Sequence, residues 1–146
     1  MKGRVNMKEL DLIMAAGANL VPGKAATVNA TVNADNTAKA VGSGSLEVFA
    51  TPMMVALMER AACECLAGCL GEGETSVGSL INVEHLAASP VGMEITASAA
   101  IDSVSGRKVE FTVTASDKSG EIGKGKHIRF IVDAGRFMKK AEGKCE

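Results

Sequence analysis

A single glutamate stands at the end of the most apolar run in the sequence. Glu59 follows residues 53–58, which carry no charge, and it precedes Arg60. A carboxylate is costly to bury unless it is paired or used in chemistry. Glu59 is therefore a candidate for acid–base or nucleophilic work. The alternative is a solvated stripe that it shares with Arg60 and Glu64, which lie four residues apart on the same predicted helix.

Two further side chains have the chemistry of an active site. His85 lies at the end of a predicted strand, where an imidazole can relay a proton or bind a substrate carbonyl, although a structural hydrogen bond also explains it. Thr51 precedes Pro52, a pair typical of a helix start, and Thr51 is most simply the cap of that helix. Its hydroxyl would also lie where free backbone N–H groups favour a developing oxyanion.

The spacing of Thr51 and Glu59 constrains how they can act together. They are eight residues apart on one predicted helix, hence about 12 Å along its axis, too far for both to contact one reacting atom. If two protomers pair with antiparallel helices, Thr51 of one approaches Glu59 of the other, and two equivalent sites form. This spacing predicts a homodimer, with further pairing into a tetramer through exposed sheet faces left open.

The elements that position these residues follow from apolar periodicity. The helix is predicted from Pro52 to about Leu70, with Gly71 ending it, and its nearly continuous apolar surface predicts that other structure covers most of its circumference. Alternation predicts a strand with Val77, Ser79, Ile81, Val83 and His85 on one face. The full set of predicted strands is residues 26–33, 38–41, 75–86, 93–102, 108–116 and 122–132.

This order of elements predicts an α+β fold. Short turns make the last strands antiparallel neighbours, and one apolar helix precedes them. The pattern matches the hotdog architecture, a long central helix wrapped by a curved antiparallel sheet of about five to six strands. We expect a single domain over residues 1–146, with a core from about 15 to 137 and a flexible tail over 138–146.

Composition excludes several functional classes. With 146 residues, 47% of them hydrophobic, the chain can bury a core without a disulfide or a metal. A net charge of -1, four Phe and no Trp or Tyr provide neither the field nor the stacking surfaces of a nucleic-acid binder. The four Cys match no zinc spacing and no CxxC pair, which predicts reduced thiols and no metal site.

The chain also shows no targeting pattern. The basic residues 1–7 are followed by the charged segment 8–11 rather than by an apolar run, so no secretion signal is expected. The apolar stretch 53–58 is far shorter than the roughly 20 residues that span a bilayer. We therefore expect a cytoplasmic protein with no membrane partner.

Three segments together resemble the fluoroacetyl-CoA-thioesterase-like family of hotdog proteins. They are residues 46–59 (LEVFATPMMVALME), residues 75–78 with 85–92 (TSVG and HLAASPVG), and residues 122–130 (IGKGKHIRF). The last has the Gly-x-Gly-x-His-x-Arg pattern of the family's closing strand. The similarity covers roughly residues 15–137, and the combination is far more specific than any single motif.

The resemblance implies acyl-CoA thioester hydrolysis. Thr51, Glu59 and His85 match the family's catalytic set at the same spacing, and Gly78 matches a glycine associated with acyl binding. Glu59 would activate water or attack the carbonyl, His85 would assist proton transfer, and Thr51 would be a nucleophile or a polar anchor. Both routes stay open. No cofactor is implied, since CoA is part of the substrate.

Two further points bear on the substrate. His127 and Arg129 share a strand face and could orient the CoA, pair with a carboxylate or make structural hydrogen bonds. The bulky aromatic gate of fluoroacetyl-selective members has no counterpart in residues 42–46, which favours a small or short-chain acyl group. The alternatives are an acyl-CoA-binding protein without hydrolysis and a purely structural protein. A hotdog dehydratase would need an Asp/His signature that this sequence lacks.

Overall fold

The computed structural model describes residues 20–146 of the chain. The predicted beginning of the core near residue 15, and the basic segment 1–7, lie outside the described residues. Within them the chain forms five strands: β1 (Ala25–Thr31), β2 (Glu74–His85), β3 (Glu94–Ser105), β4 (Lys108–Asp117) and β5 (Gly120–Asp133).

The five strands form one antiparallel sheet in the order β1-β3-β4-β5-β2. The turns from β3 to β4 and from β4 to β5 are short, and Gly106 in the first has a φ of 62°, which favours glycine. β1 and β2 are the edge strands. The structure confirms the predicted α+β class and the antiparallel sheet with a helix.

The main helix, α2 (Thr51–Leu66), packs one face on this sheet. It ends four residues before the predicted Leu70, close to Gly68, which takes a φ of 80°. Pro52, Ala56 and Cys63 on its other side are exposed, so the predicted wrapping over most of the circumference is wrong for the single chain. Its buried residues are Met54, Leu57, Met58, Ala61, Ala62, Cys65 and Leu66.

Two other segments differ from the sequence predictions. Residues 38–41, predicted as a strand, form a single helical turn, α1 (Ala38–Val41), because the Thr37 hydroxyl accepts a hydrogen bond from the Ala40 N–H. At the carboxyl end, α3 (Ala134–Glu142) and a 3-10 turn (Gly143–Cys145) occupy most of the segment predicted as a tail. The flexibility of residues 138–146 stays a prediction. None of the helices in residues 20–146 has the length and apolarity needed to cross a membrane.

Candidate active site

Thr51 and His85 form a hydrogen-bonded pair where α2 begins and β2 ends. Thr51 Oγ1 lies 2.7 Å from His85 Nδ1. The predicted capping role of Thr51 is wrong: Ala50 is the N-cap residue, and no side chain caps this helix. The Thr51 hydroxyl is one residue inside the helix and is turned toward the imidazole. The structure thus brings together two of the three predicted catalytic residues.

The second ring nitrogen of His85 has no partner among the described residues. His85 Nε2 is fully buried and accepts or donates no hydrogen bond. A buried polar atom left in this state costs about 1–3 kcal/mol, so its position suits a polar group from a ligand or from another chain. Burial lowers the pKa of His85, and the Ala87 main chain partly offsets this effect. The imidazole is therefore neutral near pH 7 and able to exchange a proton.

A groove of about 280 Å³ opens beside this pair. Its walls consist mainly of small and apolar side chains from α1, the segment before α2, and the segment after β2. Its lining residues are Ala38, Ser43, Val48, Phe49, Thr51, His85, Leu86, Ala87 and Ala88. The groove lies at the small end of the size range of small-molecule sites.

Glu59 belongs to a separate cluster, two helical turns further along α2. Its Oε2 lies 3.4 Å from Arg129 Nη1, in an ion pair whose arginine side chain is 8% exposed and whose glutamate side chain is 40% exposed. Arg129 also donates from Nε to Ser76 Oγ at 2.9 Å and from Nη2 to Ser76 O at 3.0 Å. The guanidinium is therefore fixed from three sides, and Glu59 is held by it while remaining open to solvent.

His127 completes this second cluster from behind. Its Nδ1 lies 2.8 Å from the Leu80 carbonyl oxygen, its Nε2 lies 3.2 Å from Arg129 Nη1, and its ring stacks on Phe111. Burial lowers the pKa of His127, and the charge of Arg129 acts in the same direction, while the Leu80 main chain and the charge of Glu59 partly offset this effect. Because both ring nitrogens are engaged within the protein, His127 has no free polar atom for a substrate.

Gly78 leaves room for the Glu59 carboxylate. A Cβ at Gly78 would lie 2.8 Å from Glu59 Oε2, 3.2 Å from His127 Cε1 and 3.3 Å from Arg129 Nη1. Such a contact with a carboxylate oxygen is too short to persist without movement. A larger residue at position 78 would therefore displace the Glu59 carboxylate from its present position.

A β-bulge places Gly78 and His85 on the same face of β2. They are seven positions apart, so a regular strand would point them to opposite faces. The register with β5 shifts between Gly78 and Leu80, so that Gly78 opposes Arg129 while Ile81 opposes His127. The prediction that Ile81, Val83 and His85 share a face is thus correct. The prediction that Val77 and Ser79, before the end of the bulge, lie on that face too is wrong.

Ser76 is the site residue that sequence reasoning missed. It accepts two hydrogen bonds from Arg129, one at its hydroxyl oxygen and one at its carbonyl oxygen. Its spacing of two from Gly78 is a signal for it, because residues two apart on a strand share a face.

Comparisons with known proteins identify the family of the chain. The family model described as fluoroacetyl-CoA-specific thioesterase (FlK) matches residues 32–135. The fluoroacetyl-CoA thioesterase of Streptantibioticus cattleyicolor is 43% identical over 98 residues, which cover 67% of this chain and 70% of that protein.

Solved structures show the same fold. A structure of the fluoroacetyl-CoA thioesterase FlK superposes with a TM-score of 0.80 at 35% identity, covering 85% of this chain and 96% of that one. A variant of FlK in complex with acetyl-CoA gives 0.81 at 35% identity, covering 86% and 99%. A Thermus thermophilus member of the thioesterase superfamily gives 0.77 at 27% identity, covering 86% and 97%. The chain therefore belongs to the fluoroacetyl-CoA-specific thioesterase family of hotdog-fold thioester hydrolases.

Proposed function

We propose that this protein hydrolyses acyl-CoA thioesters with a small acyl group, at two equivalent sites that are each assembled from two protomers. The observation that carries the proposal is the Thr51–His85 pair, in which the buried His85 Nε2 has no partner among residues 20–146. The Glu59 carboxylate of the same chain lies in the other cluster, where it pairs with Arg129. A second protomer can bring the two together.

The chemistry of the two clusters is complementary. Glu59 is an ion-paired, partly exposed carboxylate, which suits activation of water or attack on a thioester carbonyl. His85 is neutral and has a free Nε2, which suits proton transfer to or from the reacting groups. Thr51 lies in the first turn of α2, where the helix N-terminus favours the developing oxyanion. Both the covalent route and the general-base route fit these residues.

The edge strand β2 supports a homodimer. Among the described residues β2 has one hydrogen-bonded neighbour, β5, and its free edge is long and uncovered. Leu80 and Leu86, at 47% and 48% exposure, are large apolar residues within or directly after this strand. Antiparallel pairing of β2 with its own copy would cover the edge and satisfy its backbone groups. Pairing of two such dimers through the outer sheet faces would give the tetramer.

Facing residues restrict the register of that pairing. Ile81 and Val83 lie on the same face of β2, where they oppose His127 and Gly125 of β5. Directly opposite residues of an antiparallel pair share a face, so each of them must oppose a residue of the same face in the partner strand. The two-fold axis must therefore pass through a residue rather than between two. An axis through Asn82 places His85 of one copy beside the bulge after Gly78 of the other. An Asn82→Cys variant should then form an intermolecular disulfide on mild oxidation, and failure to do so at matched dimer concentration would refute this register.

The proposed substrate class rests on the groove. Its small volume and its alanine-rich walls favour a short acyl chain over a long one. FlK, the solved relative, is described with fluoroacetyl-CoA as substrate and, in a variant, with acetyl-CoA bound. Fluoroacetyl-CoA itself is one member of the class to be tested, because the aromatic gate predicted from the family has no counterpart in residues 42–46.

The proposed location is the cytoplasm. Cys63, Cys65, Cys69 and Cys145 are all free, which agrees with a reducing compartment.

The deciding experiment is thiol release from acyl-CoAs ranging from acetyl to octanoyl, with branched and fluorinated members, after subtraction of the protein's own thiols. Glu59→Gln removes the reactive carboxylate, and Glu64→Gln, on the exposed side of the same helix, is the matched control. We expect a fall of about 100-fold or more in kcat for Glu59→Gln and none for Glu64→Gln. Acyl-CoA binding without thiol release by the wild type would show a non-catalytic binding protein instead.

A further inference from the structure

The His127 ring is held in a single protonation pattern by its two neighbours. The Leu80 carbonyl oxygen can only accept a hydrogen bond, so His127 Nδ1 must carry the hydrogen. A guanidinium can only donate, so His127 Nε2 must offer its lone pair to Arg129 Nη1. Both partners therefore require the neutral ring with its proton on Nδ1.

Few charged groups face this ring. Arg129 lies two residues away on β5, and Glu59 faces it from α2. From β4 it meets the apolar Phe111, and from β2 it meets Gly78 and the Leu80 main chain. A proton added at His127 Nε2 would direct an N–H toward the Arg129 guanidinium, and the two positive charges would repel each other.

The hydrogens of Arg129 show why this matters for Glu59. Nε and Nη2 are directed to Ser76, and Nη1 is shared between His127 and Glu59. Nη1 carries two hydrogens in a fixed plane, so one that bonds to His127 leaves the other aimed at the Glu59 carboxylate. The acceptor at His127 therefore supports the geometry of the Glu59 contact, together with the two acceptors of Ser76.

We propose that His127 is a positioning residue, whose neutral Nε2 fixes the Arg129 guanidinium and through it the Glu59 carboxylate. This role rests on the proposed thioesterase function for the importance of Glu59. Of the three roles that the sequence left open for His127, namely orienting the CoA, pairing with a carboxylate and making structural hydrogen bonds, this proposal uses the third.

Two conservative variants separate the two bonds of His127. In His127→Gln the carboxamide reaches the place of Nε2 and can accept from Arg129. In His127→Asn the carboxamide reaches only the place of Nδ1, so it keeps the Leu80 contact and leaves Arg129 without an acceptor. Both variants lose the stacking on Phe111, so a general loss of stability affects them alike and thermal unfolding of both provides the control.

We expect kcat to fall about 30-fold or more in His127→Asn and about threefold or less in His127→Gln, with KM nearly unchanged in both, since misplacement of a reacting group lowers the rate more than binding. Equal losses in the two variants at equal stability, or a loss confined to KM, would overturn the proposal.

Nuclear magnetic resonance tests the contact without any substrate. The imidazole nitrogens of His127 should report a proton on Nδ1, and Arg129 should show distinct Nη signals that merge in His127→Asn and stay distinct in His127→Gln. A proton on Nε2, or Arg129 signals that do not respond, would overturn the proposal. If the wild type releases no thiol while these signals behave as expected, the thioesterase function fails and the contact stands.

Discussion

The two ends of the candidate site differ in how completely their polar atoms are paired. At the Glu59 end, Arg129 and His127 have hydrogen-bond partners at every nitrogen that the ring and the guanidinium present to the interior. At the Thr51 end, one buried nitrogen of His85 has no partner among the described residues. The first end is fully paired within residues 20–146, and the second leaves one buried nitrogen available to an additional group.

This difference follows from where each end lies. The Glu59 cluster is formed by residues from α2, β2 and β5 that face each other across one interface, so folding alone brings them together. The Thr51–His85 pair lies where α2 begins and β2 ends, next to an open groove. A catalytic carboxylate needs rigid support, whereas the groups that meet the substrate must be accessible. These two requirements agree with a fully paired Glu59 cluster and a Thr51–His85 pair beside an open groove.

The largest expected effect comes from placing the two ends on different protomers. Alone, Glu59→Ala should lose nearly all activity and Thr51→Ala about nine-tenths of it or more. If sites are shared across a two-fold interface, random co-assembly gives half heterodimers, each with one intact site and one doubly altered site. Thiol release should recover to about a quarter of the wild-type rate. Absence of recovery, with heterodimers verified by mass, would place both ends of each site in one chain.

The second largest effect is expected from Gly78→Ala, which tests the close contact between position 78 and the Glu59 carboxylate. Gly78→Ala adds a methyl group 2.8 Å from Glu59 Oε2, so the carboxylate must move. We expect kcat to fall about 100-fold, because a displacement near 1 Å has effects of this size. Gly143→Ala is the matched control, since its Cβ would meet nothing within 4 Å. Full activity in Gly78→Ala would mean that the position of Glu59 is unimportant.

A feature of this structure could be predicted from the sequence when the local residue pattern determines it, and could not when tertiary pairing determines it. The helix and the strand alternation after Ile81 were predictable, because each depends on residue types at short spacing. The set of Thr51, Glu59 and His85 came from the resemblance to the family, and its catalytic role stays a prediction. Membership of a thioesterase family confirms the predicted enzyme class of acyl-CoA thioester hydrolysis. The bulge at Gly78 was not predictable, since the register shift is defined only against β5.

The role of Thr51 shows the same limit. A threonine before a proline is a good cap by local statistics, and the prediction failed because His85, which is 34 positions away in sequence, offers the hydroxyl a partner. Residues 38–41 show the opposite error: their alternation was read as a strand, although Thr37 and Gly42 carry the signals of a capped helical turn.

A smaller effect distinguishes a functional threonine from a structural one. Thr51→Val should lower kcat about tenfold or more and change the free energy of unfolding by less than about 1 kcal/mol, because this hydroxyl caps no helix. Thr37→Val should do the reverse, since the Thr37 hydroxyl caps α1: it should cost about 1 kcal/mol and leave kcat nearly unchanged. Urea unfolding and thiol release on both variants provide the measurement. Similar profiles would mean that the two hydroxyls play the same part.

The smallest effect is the pH dependence of stability at the two ends. The chain has two histidines, His85 and His127, and burial lowers the pKa of both below the ordinary value of 6.5. Below pH 6.5 the unfolded chain therefore binds protons that the folded chain does not, and the free energy of unfolding falls as the pH drops, until the lowered pKa values are reached. The slope contributed by each histidine is at most about 1.4 kcal/mol per pH unit.

The two histidines should contribute unequally to that slope. His127 is 1% exposed and adjoins a guanidinium, whereas His85 is only half-buried, so His127→Gln should flatten the profile more than His85→Gln does. Urea unfolding between about pH 7.5 and 5, at one protein concentration, measures this, because carboxylates titrate mainly below that range. If the pH dependence of the free energy of unfolding is unchanged in His127→Gln, the Glu59 end tolerates a charged imidazole. The proposed arrangement of His127, Arg129 and Glu59 would then lose its electrostatic basis.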